Sequence, residues 1–372
     1  MDRANYALAS NLARSGHPVY LVTHRADSGL AAQGVSVHRV PKPFGSYFLG
    51  GPLLDLTGRV RGRTVWNAGG RVVVNAGNCG FGDVSWVHYV HSAYRTPPGG
   101  PRATRLRRGL MRRFFVNRER RCLRRARFVI ANSQRTRNDL VELLGLPPER
   151  ISVVYYGNDP EQFRPAGCGE RDELRRALGF PTDRPLVVFI GALGDRRKGF
   201  DVLFEAWSRL CSQPEWDPLL LVVGSGGDLP AWRERAVAAG LTHNIRFLGF
   251  RDDVPAVLRS ADALVSPTRY EAYGLGVHEA LCCGLPAFVS RTAGVAERYP
   301  ADLSILLLPD DAGSIGDRLR EWRGDMATFR ASLDRFSADL RGFTWDDMAS
   351  TILRAIAVPE THPQANSQGA IR

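Results

Sequence analysis

The run Glu271-Ala-Tyr-Gly-Leu-Gly-Val-His-Glu279 decides how the rest of this chain reads. Before it, Ala263-Leu-Val-Ser-Pro267 has the unbroken apolar content of a buried strand ending in a turn. After it, residues 277–283 have the composition of an opening helix. Strand, glycine-containing turn and helix form the unit from which parallel α/β sheets are built. The same unit offers a site. Carboxylates accept hydrogen bonds from sugar hydroxyls, glycines let the backbone approach a phosphate, and a helix N-terminus presents free N–H groups to an anion. A carboxylate at the strand's end and a second one two helical turns in would suit a polyhydroxylated, phosphorylated ligand. The competing reading is an ordinary strand–turn–helix with two solvated glutamates, because glutamates eight apart are common.

Lysine usage separates these readings. Of 50 lysines and arginines, only Lys42 and Lys198 are lysines. A lysine that persists among so many arginines marks a place where a compact ammonium fits and a planar fork does not. Lys198 lies in Gly191-Ala-Leu-Gly-Asp-Arg196-Arg197-Lys198-Gly199, after an apolar strand (186–190) and before a helix with Leu203, Phe204 and Trp207 inward. A plain surface cation is the alternative. Lys42 stands between prolines and is assigned no role.

Lys198-Gly199 after a strand and Gly191, with Glu271 and Glu279 some seventy residues on, resembles the retaining glycosyltransferases of family 4, which have the two-Rossmann GT-B architecture. Ala131-Asn132-Ser133 followed by residues 153–163, Ile245-Arg-Phe-Leu-Gly249-Phe250, and Phe343-Thr-Trp345-Asp346 resemble further family stretches, over roughly residues 1–355. The resemblance implies a sugar moved from a nucleotide donor to a glycan or lipid-linked acceptor with retention at the anomeric carbon. It also implies roles. Lys198, with Arg196 or Arg197 and the backbone at Gly191, would hold the donor diphosphate. The helix N-terminus at Gly274, Leu275 and Gly276 would help them. Glu271 would bind sugar hydroxyls, Glu279 the ribose diol, and the backbone around Gly249–Arg251 the base. Family members carry a histidine at a strand end facing the donor sugar; His91 is preferred for that place, with His88 as the rival and a structural role open for either. No Asp-x-Asp dyad stands in the expected surroundings, so metal independence is expected, with no cofactor beyond the donor substrate.

Two departures from the family pattern matter. The family's usual arginine after the first-loop glycine is here Ala192. And the chain opens on a helix-like stretch, with Tyr6, Leu8, Ala9, Leu12 and Ala13 on one face and Gly16 after it. The family's preceding strand and glycines are not in this sequence, and an upstream start is the expectation.

The net charge of +12 is concentrated. The stretch from Arg102 to Arg127 holds twelve arginines and one acid, Glu119, so it carries +11 while the remainder is near neutral. With Leu106, Leu110, Phe114 and Phe115 interspersed, it reads as one or two amphipathic helices. A solvated face, an anionic membrane surface and nucleic acid are the candidate explanations; no nucleic-acid motif accompanies the charge, so the membrane surface is preferred. No apolar run reaches the ~18–20 residues that span a bilayer. Six cysteines show no metal spacing and read as reduced thiols. The expected location is cytoplasmic, peripheral on the inner membrane face.

Alternating apolar strands and helical stretches predict parallel α/β sheets. Expected strands are 18–23, 35–40, 71–76, 84–89 and 127–132 in the first half. The second half offers 152–156, 186–190, 219–223, 245–248, 263–266, 286–289 and 305–308. The expected domains are an acceptor-side Rossmann-like unit (1–163), a nucleotide-sugar unit (164–342), a closing helix (343–358) and a disordered tail (359–372). Gly224-Ser-Gly226-Gly227 is not a dinucleotide fingerprint; a turn requirement explains it as well as phosphate contact does. Two other functions remain open at this stage. One is a GT-B epimerase-like enzyme acting on a sugar nucleotide. The other is a non-catalytic basic adaptor, binding membrane or nucleic acid, with a degenerate donor site.

Overall fold

The computed structural model describes residues 2–94, 102–308 and 311–357. Its strands, in chain order, are β1 (Tyr20–Thr23), β2 (Ser36–Arg39), β3 (Val73–Asn75), β4 (Val84–Val87), β5 (Phe128–Ala131), β6 (Ile151–Val153), β7 (Leu186–Ile190), β8 (Leu219–Val223), β9 (Ile245–Gly249), β10 (Ala263–Ser266), β11 (Ala287–Ser290) and β12 (Leu307–Leu308). Every strand pairing is parallel.

The second half forms one six-stranded sheet in the order β12-β11-β10-β7-β8-β9. Its strands are apolar runs without alternation because helices cover both faces. Leu186 to Phe189 and Leu220 to Val222 are fully buried, as are Trp207, Phe288 and Trp322. From β7 the chain winds outward to β8 and β9; β10, β11 and β12 extend the other way. The loops after the neighbours β7 and β10 therefore diverge, and a parallel sheet opens its ligand crevice at such a switch point.

The first half is divided. β3, β4, β5 and β6 form one sheet, while β1 and β2 form a separate pair. Residues 152–156, expected as a second-half strand, instead supply β6, whose Val153 pairs with Ala131 of β5. A cavity of about 2160 Å³ lies between β1 and β3, walled by Leu8 and Leu12 on one helix and Leu54, Gly58 and Gly62 on another. The basic segment forms a single helix, Arg102–Arg125.

Asn158 and Thr344 form a parallel bridge where the chain leaves the first half and later returns to it. The N–H of Asn158 donates to Phe343 O (3.0 Å), and the N–H of Trp345 donates to Asn158 O (3.3 Å). A Cβ at Gly157 would lie 2.2 Å from Thr344 O, so only glycine admits this crossing. The returning helix, Trp345–Ala357, then packs on the first one, Asp2–Arg14, where Asn11 Nδ2 donates to Asp346 Oδ1 (2.9 Å). The expected tail, 359–372, lies outside the described residues. All six cysteines are free thiols, and no described helix is long and apolar enough to cross a membrane.

A candidate donor site at the sheet switch point

The loop after β7 ends in a tight turn, Arg196–Lys198, capped at its start by Asp195, whose carboxylate accepts the Arg197 N–H (3.0 Å). Gly199 closes it at φ +71°, and a Cβ there would sit 1.7 Å from Pro267 O. That contact presses the β7 loop against the β10 loop. Two hydrogen bonds fasten them: Thr268 Oγ1 and the Arg269 N–H both donate to Arg197 O, at 2.8 and 2.7 Å. Gly224 serves the same construction, since a Cβ would lie 2.0 Å from Gly191 O. Gly226 does the same against the next residues of that loop, since a Cβ would lie 1.6 Å from Leu193 O, while the space around Gly227 is open.

Fastened in this way, Lys198 Nζ donates to Glu271 Oε2, an ion pair in which both side chains are mostly covered. Sequence places these residues 73 apart; the switch point brings their side chains together. Glu271 lies in the loop beyond β10, where its carbonyl accepts the Gly294 N–H (2.9 Å). Three residues later Gly274, at φ +110°, caps the helix Leu275–Cys282. The backbone N–H groups of Leu275 and Gly276 are among the first-turn donors that have no partner within a helix, and the helix dipole adds to their pull on an anion.

The two candidate arginines divide. Arg197 lies across the Tyr89 ring (4.9 Å) with its guanidinium on Asp195 (2.8 Å), close enough to feel the Glu271 charge. Arg196 turns away toward Asp201 (3.3 Å), on the following helix. Arg197 is therefore the cation that the fold sets beside Lys198. Arg251 sits beyond β9, at the sheet's edge, engaged by Asp253 (2.7 Å).

The helix expected to open at Val277 opens at Leu275, and Glu279 stands about one turn into it rather than two. Its carboxylate is buried and bonded to Arg3, which reaches over from the first helix. Burial pushes the Glu279 carboxyl up to about 7, with Arg3 pulling against it.

The histidines separate clearly. His88 is half-buried, with Nε2 on Asn75 Oδ1 (3.1 Å) and Nδ1 on the Tyr156 hydroxyl, and desolvation pushes it down to about 3. It is a neutral imidazole with both ring nitrogens engaged. His91 lies past the end of β4 and is partly exposed, 5.2 Å from the Tyr89 ring on which Arg197 rests. Its Nδ1 meets Glu119 Oε1 (2.9 Å), and its backbone N–H donates to Glu119 Oε2 (3.0 Å). A carboxylate on Nδ1 fixes the ring's orientation and leaves Nε2 outward. Sequence reasoning counted Glu119 only as a charge. The available signal was its isolation, a single acid among twelve arginines, and it is fully buried.

Contacts across the crevice come from the helix Gln134–Leu144. Its cap Ser133 donates from Oγ to Ala272 O (2.6 Å), next to Glu271, and Arg135 Nη1 donates to Thr292 O (2.9 Å). The 2160 Å³ cavity reaches His91 but not Lys198 or Glu271. It is the space between two sheets, and the convergence of charge and glycine marks the site instead. Among the described residues, no three His, Cys, Asp or Glu side chains converge as a metal site requires.

Comparison with known proteins agrees with this geometry. The group 1 glycosyl transferases match residues 170–326, and glycosyltransferase family 4 matches residues 1–162. The 2-deoxystreptamine N-acetyl-D-glucosaminyltransferase of Streptomyces fradiae is 32% identical over 222 residues, covering 59% of this chain and 49% of that protein. The chain thus spans about half the length of that relative. Among solved structures, WaaG, a glycosyltransferase involved in lipopolysaccharide biosynthesis, superposes with a TM-score of 0.74 at 20% identity, covering 96% of both chains. HepE of Anabaena, solved with UDP and glucose, gives 0.67 at 19% identity over 95% of both. Parallel sheets in both halves, a crevice at the switch point and two family matches that between them take in both halves leave one assignment: the chain belongs to the family 4 glycosyltransferases of the GT-B fold.

Proposed function

We propose that this protein is a retaining, metal-independent glycosyltransferase that moves a sugar from a nucleotide donor to a glycan or lipid-linked acceptor. The observation that carries the reading is the Lys198–Glu271 pair beside the Gly274 helix terminus. Without donor, the ammonium and carboxylate neutralise each other. A bound donor would part them, the carboxylate taking sugar hydroxyls and the ammonium the diphosphate. As the glycosidic bond breaks, negative charge grows on the leaving diphosphate, and preorganised donors aimed at that charge supply the stabilisation. Lys198, Arg197 and the N–H groups of Leu275 and Gly276 are so aimed, and Arg197 takes the place left open by Ala192. Glu279 would receive the ribose diol once Arg3 releases it, and the Arg251 loop would meet the base. His91, oriented by Glu119, would face the donor sugar.

The UDP in HepE makes uridine donors the first to test. Purified protein should bind a UDP-sugar and, with acceptor, give a product whose anomeric configuration by NMR matches the donor's. Activity should survive a chelator. Inversion of configuration would remove the retaining assignment, and failure to bind any nucleotide sugar would remove the enzyme reading. Nucleotide release without acceptor would favour the epimerase-like alternative.

The helix Arg102–Arg125 supports a peripheral position on an anionic, cytoplasmic membrane face, where a lipid-linked acceptor would be met. The lipopolysaccharide setting of WaaG points the same way. Replacing Arg107, Arg108, Arg112 and Arg113 with Gln should weaken binding to anionic liposomes, most at low salt, and leave hydrolysis of a soluble donor unchanged.

A further inference from the structure

The helix Tyr47–Asn67 is built inside out. Positions i, i+4, i+7 and i+11 share one helical face, and Leu49, Leu53, Leu56 and Val60 occupy that register. All four are exposed, by 41% to 62%. The face turned inward carries Leu54 and three glycines. A Cβ at Gly51 would lie 2.7 Å from Arg118 Nη1, at Gly58 2.9 Å from Cys79 Sγ, and at Gly62 3.0 Å from the Phe81 ring. An ordinary surface helix buries its large apolar residues and shows polar ones; this helix packs in large part through glycines and shows an aliphatic stripe. Just before it, Phe44 is held at φ +50° with its ring 98% exposed. Bulky residues seldom adopt that backbone, and here the ring stands in solvent near the start of the stripe.

The surroundings identify the partner. Arg59, Arg61 and Arg63 of the same helix are exposed. The basic helix Arg102–Arg125 packs on its N-terminal end, through Arg118 Nη2 donating to Gly51 O (3.0 Å) and Phe48 against Phe114 (5.3 Å between rings). That second helix adds exposed Leu106 and Leu110. A symmetric dimer through this face would bring two +11 segments together, and like charges so placed repel. A surface both anionic and apolar a few ångströms down satisfies every element of the patch, and a lipid bilayer is such a surface.

We infer that Leu49, Leu53, Leu56 and Val60 form a membrane-insertion face. They enter the headgroup–acyl boundary while the adjoining arginines hold lipid phosphates. This deepens the peripheral-membrane reading above, which rests on charge alone, and differs from it in a measurable way. Binding driven by charge vanishes at high salt, whereas inserted apolar side chains hold on.

The test uses the full chain with phosphatidylcholine vesicles, with and without phosphatidylglycerol. The protein should sediment with anionic vesicles and remain bound in part at about 0.5 M salt, where charge attraction is largely screened. The variant Leu49→Ser, Leu53→Ser, Leu56→Ser, Val60→Ser alters exposed side chains only, so its melting temperature should hold. Its vesicle affinity should fall by at least ~100-fold, given about 0.8 kcal/mol per buried methylene. A Leu53→Trp variant should show blue-shifted emission on binding and quenching by brominated lipid. If wild type binds only at low salt and the emission of the Leu53→Trp variant does not move, insertion is overturned while the electrostatic reading stands. If wild type ignores all vesicles, both fall. Light scattering that shows a dimer dissolved by the serine variant would assign the stripe to a second copy and overturn the inference.

Discussion

The two halves of this protein spend similar secondary structure on different ends. In the second half, six strands share one sheet and Leu220, Leu221 and Val222 are sealed on both faces. In the first, β1 stands apart from the β3-to-β6 sheet, Leu21 and Val22 line a large cavity, and Tyr20 is exposed. The charged groups of the candidate site follow the same division. Lys198, Arg197 and Glu271 are mounted on the closed sheet. The looser half contributes His91 on its Glu119 support, and the outward leucines. Preorganised charge needs a scaffold that does not relax, and the closed sheet provides one.

That comparison fails first, if it fails, on stability. Leu221→Ala should cost about 2–5 kcal/mol, as for a large-to-small change in a close-packed core. Leu21→Ala, beside an existing cavity, should cost under about 1 kcal/mol. Equal losses in urea unfolding would show that the halves do not differ as described. A nearly comparable effect comes from Glu279. Burial raises its folded value to about 7 from an unfolded value near 4.5. The stability this group contributes is therefore complete below pH 4.5 and is lost as pH rises through 7. Glu279→Gln should remove that loss, flattening stability between about pH 5 and 8 by on the order of 3 kcal/mol. An unchanged slope in thermal melts would mean that Arg3 keeps the carboxylate ionised throughout.

Turnover sharpens the comparison further. Lys198→Ala and Glu271→Ala should each lower kcat by at least ~100-fold, the scale of one lost transition-state contact. Lys198→Arg should also be impaired, because the position takes a compact ammonium; full activity would refute the argument from lysine rarity. Glu119→Gln should lower kcat roughly 10-fold and shift its pH profile, in the manner of lost support behind a functional imidazole. A change in stability with an unaltered profile would mark Glu119 as structural only. The smallest contrast lies between neighbours. Arg197→Ala should weaken donor binding several-fold by isothermal titration, about 1 kcal/mol for a partly covered charge contact, while Arg196→Ala should be near wild type. Equal effects would place both guanidiniums in the site.

How legible each half was follows from the same physics. Strands 186–190, 219–223 and 263–266 coincide residue for residue with β7, β8 and β10, because strands buried on both faces write themselves as apolar runs. In the first half, 18–23 and 71–76 shrink to Tyr20–Thr23 and Val73–Asn75; there apolar content outruns the hydrogen-bonded ladder. Residues 152–156 were misplaced because chain position does not state which sheet a strand joins. The Tyr47–Asn67 helix is hidden by Gly50, Gly51, Pro52, Gly58 and Gly62, which read as breakers but, for the glycines, serve as an inward face. Lys198 and Glu271 were legible from residue type and spacing. The choice of Arg197 over Arg196, and the partnership of Glu119 with His91, depend on side-chain direction across elements, which no linear pattern records.

The crossing at Gly157–Asn158 and Thr344 makes the second half a guest in the first. The chain departs and re-enters at one hydrogen-bonded point, so both covalent links between the halves run side by side, while Arg3–Glu279, Ser133–Ala272 and Arg135–Thr292 tie the halves together elsewhere. An Ala at Gly157, whose Cβ would lie 2.2 Å from Thr344 O, would therefore disturb both links at once.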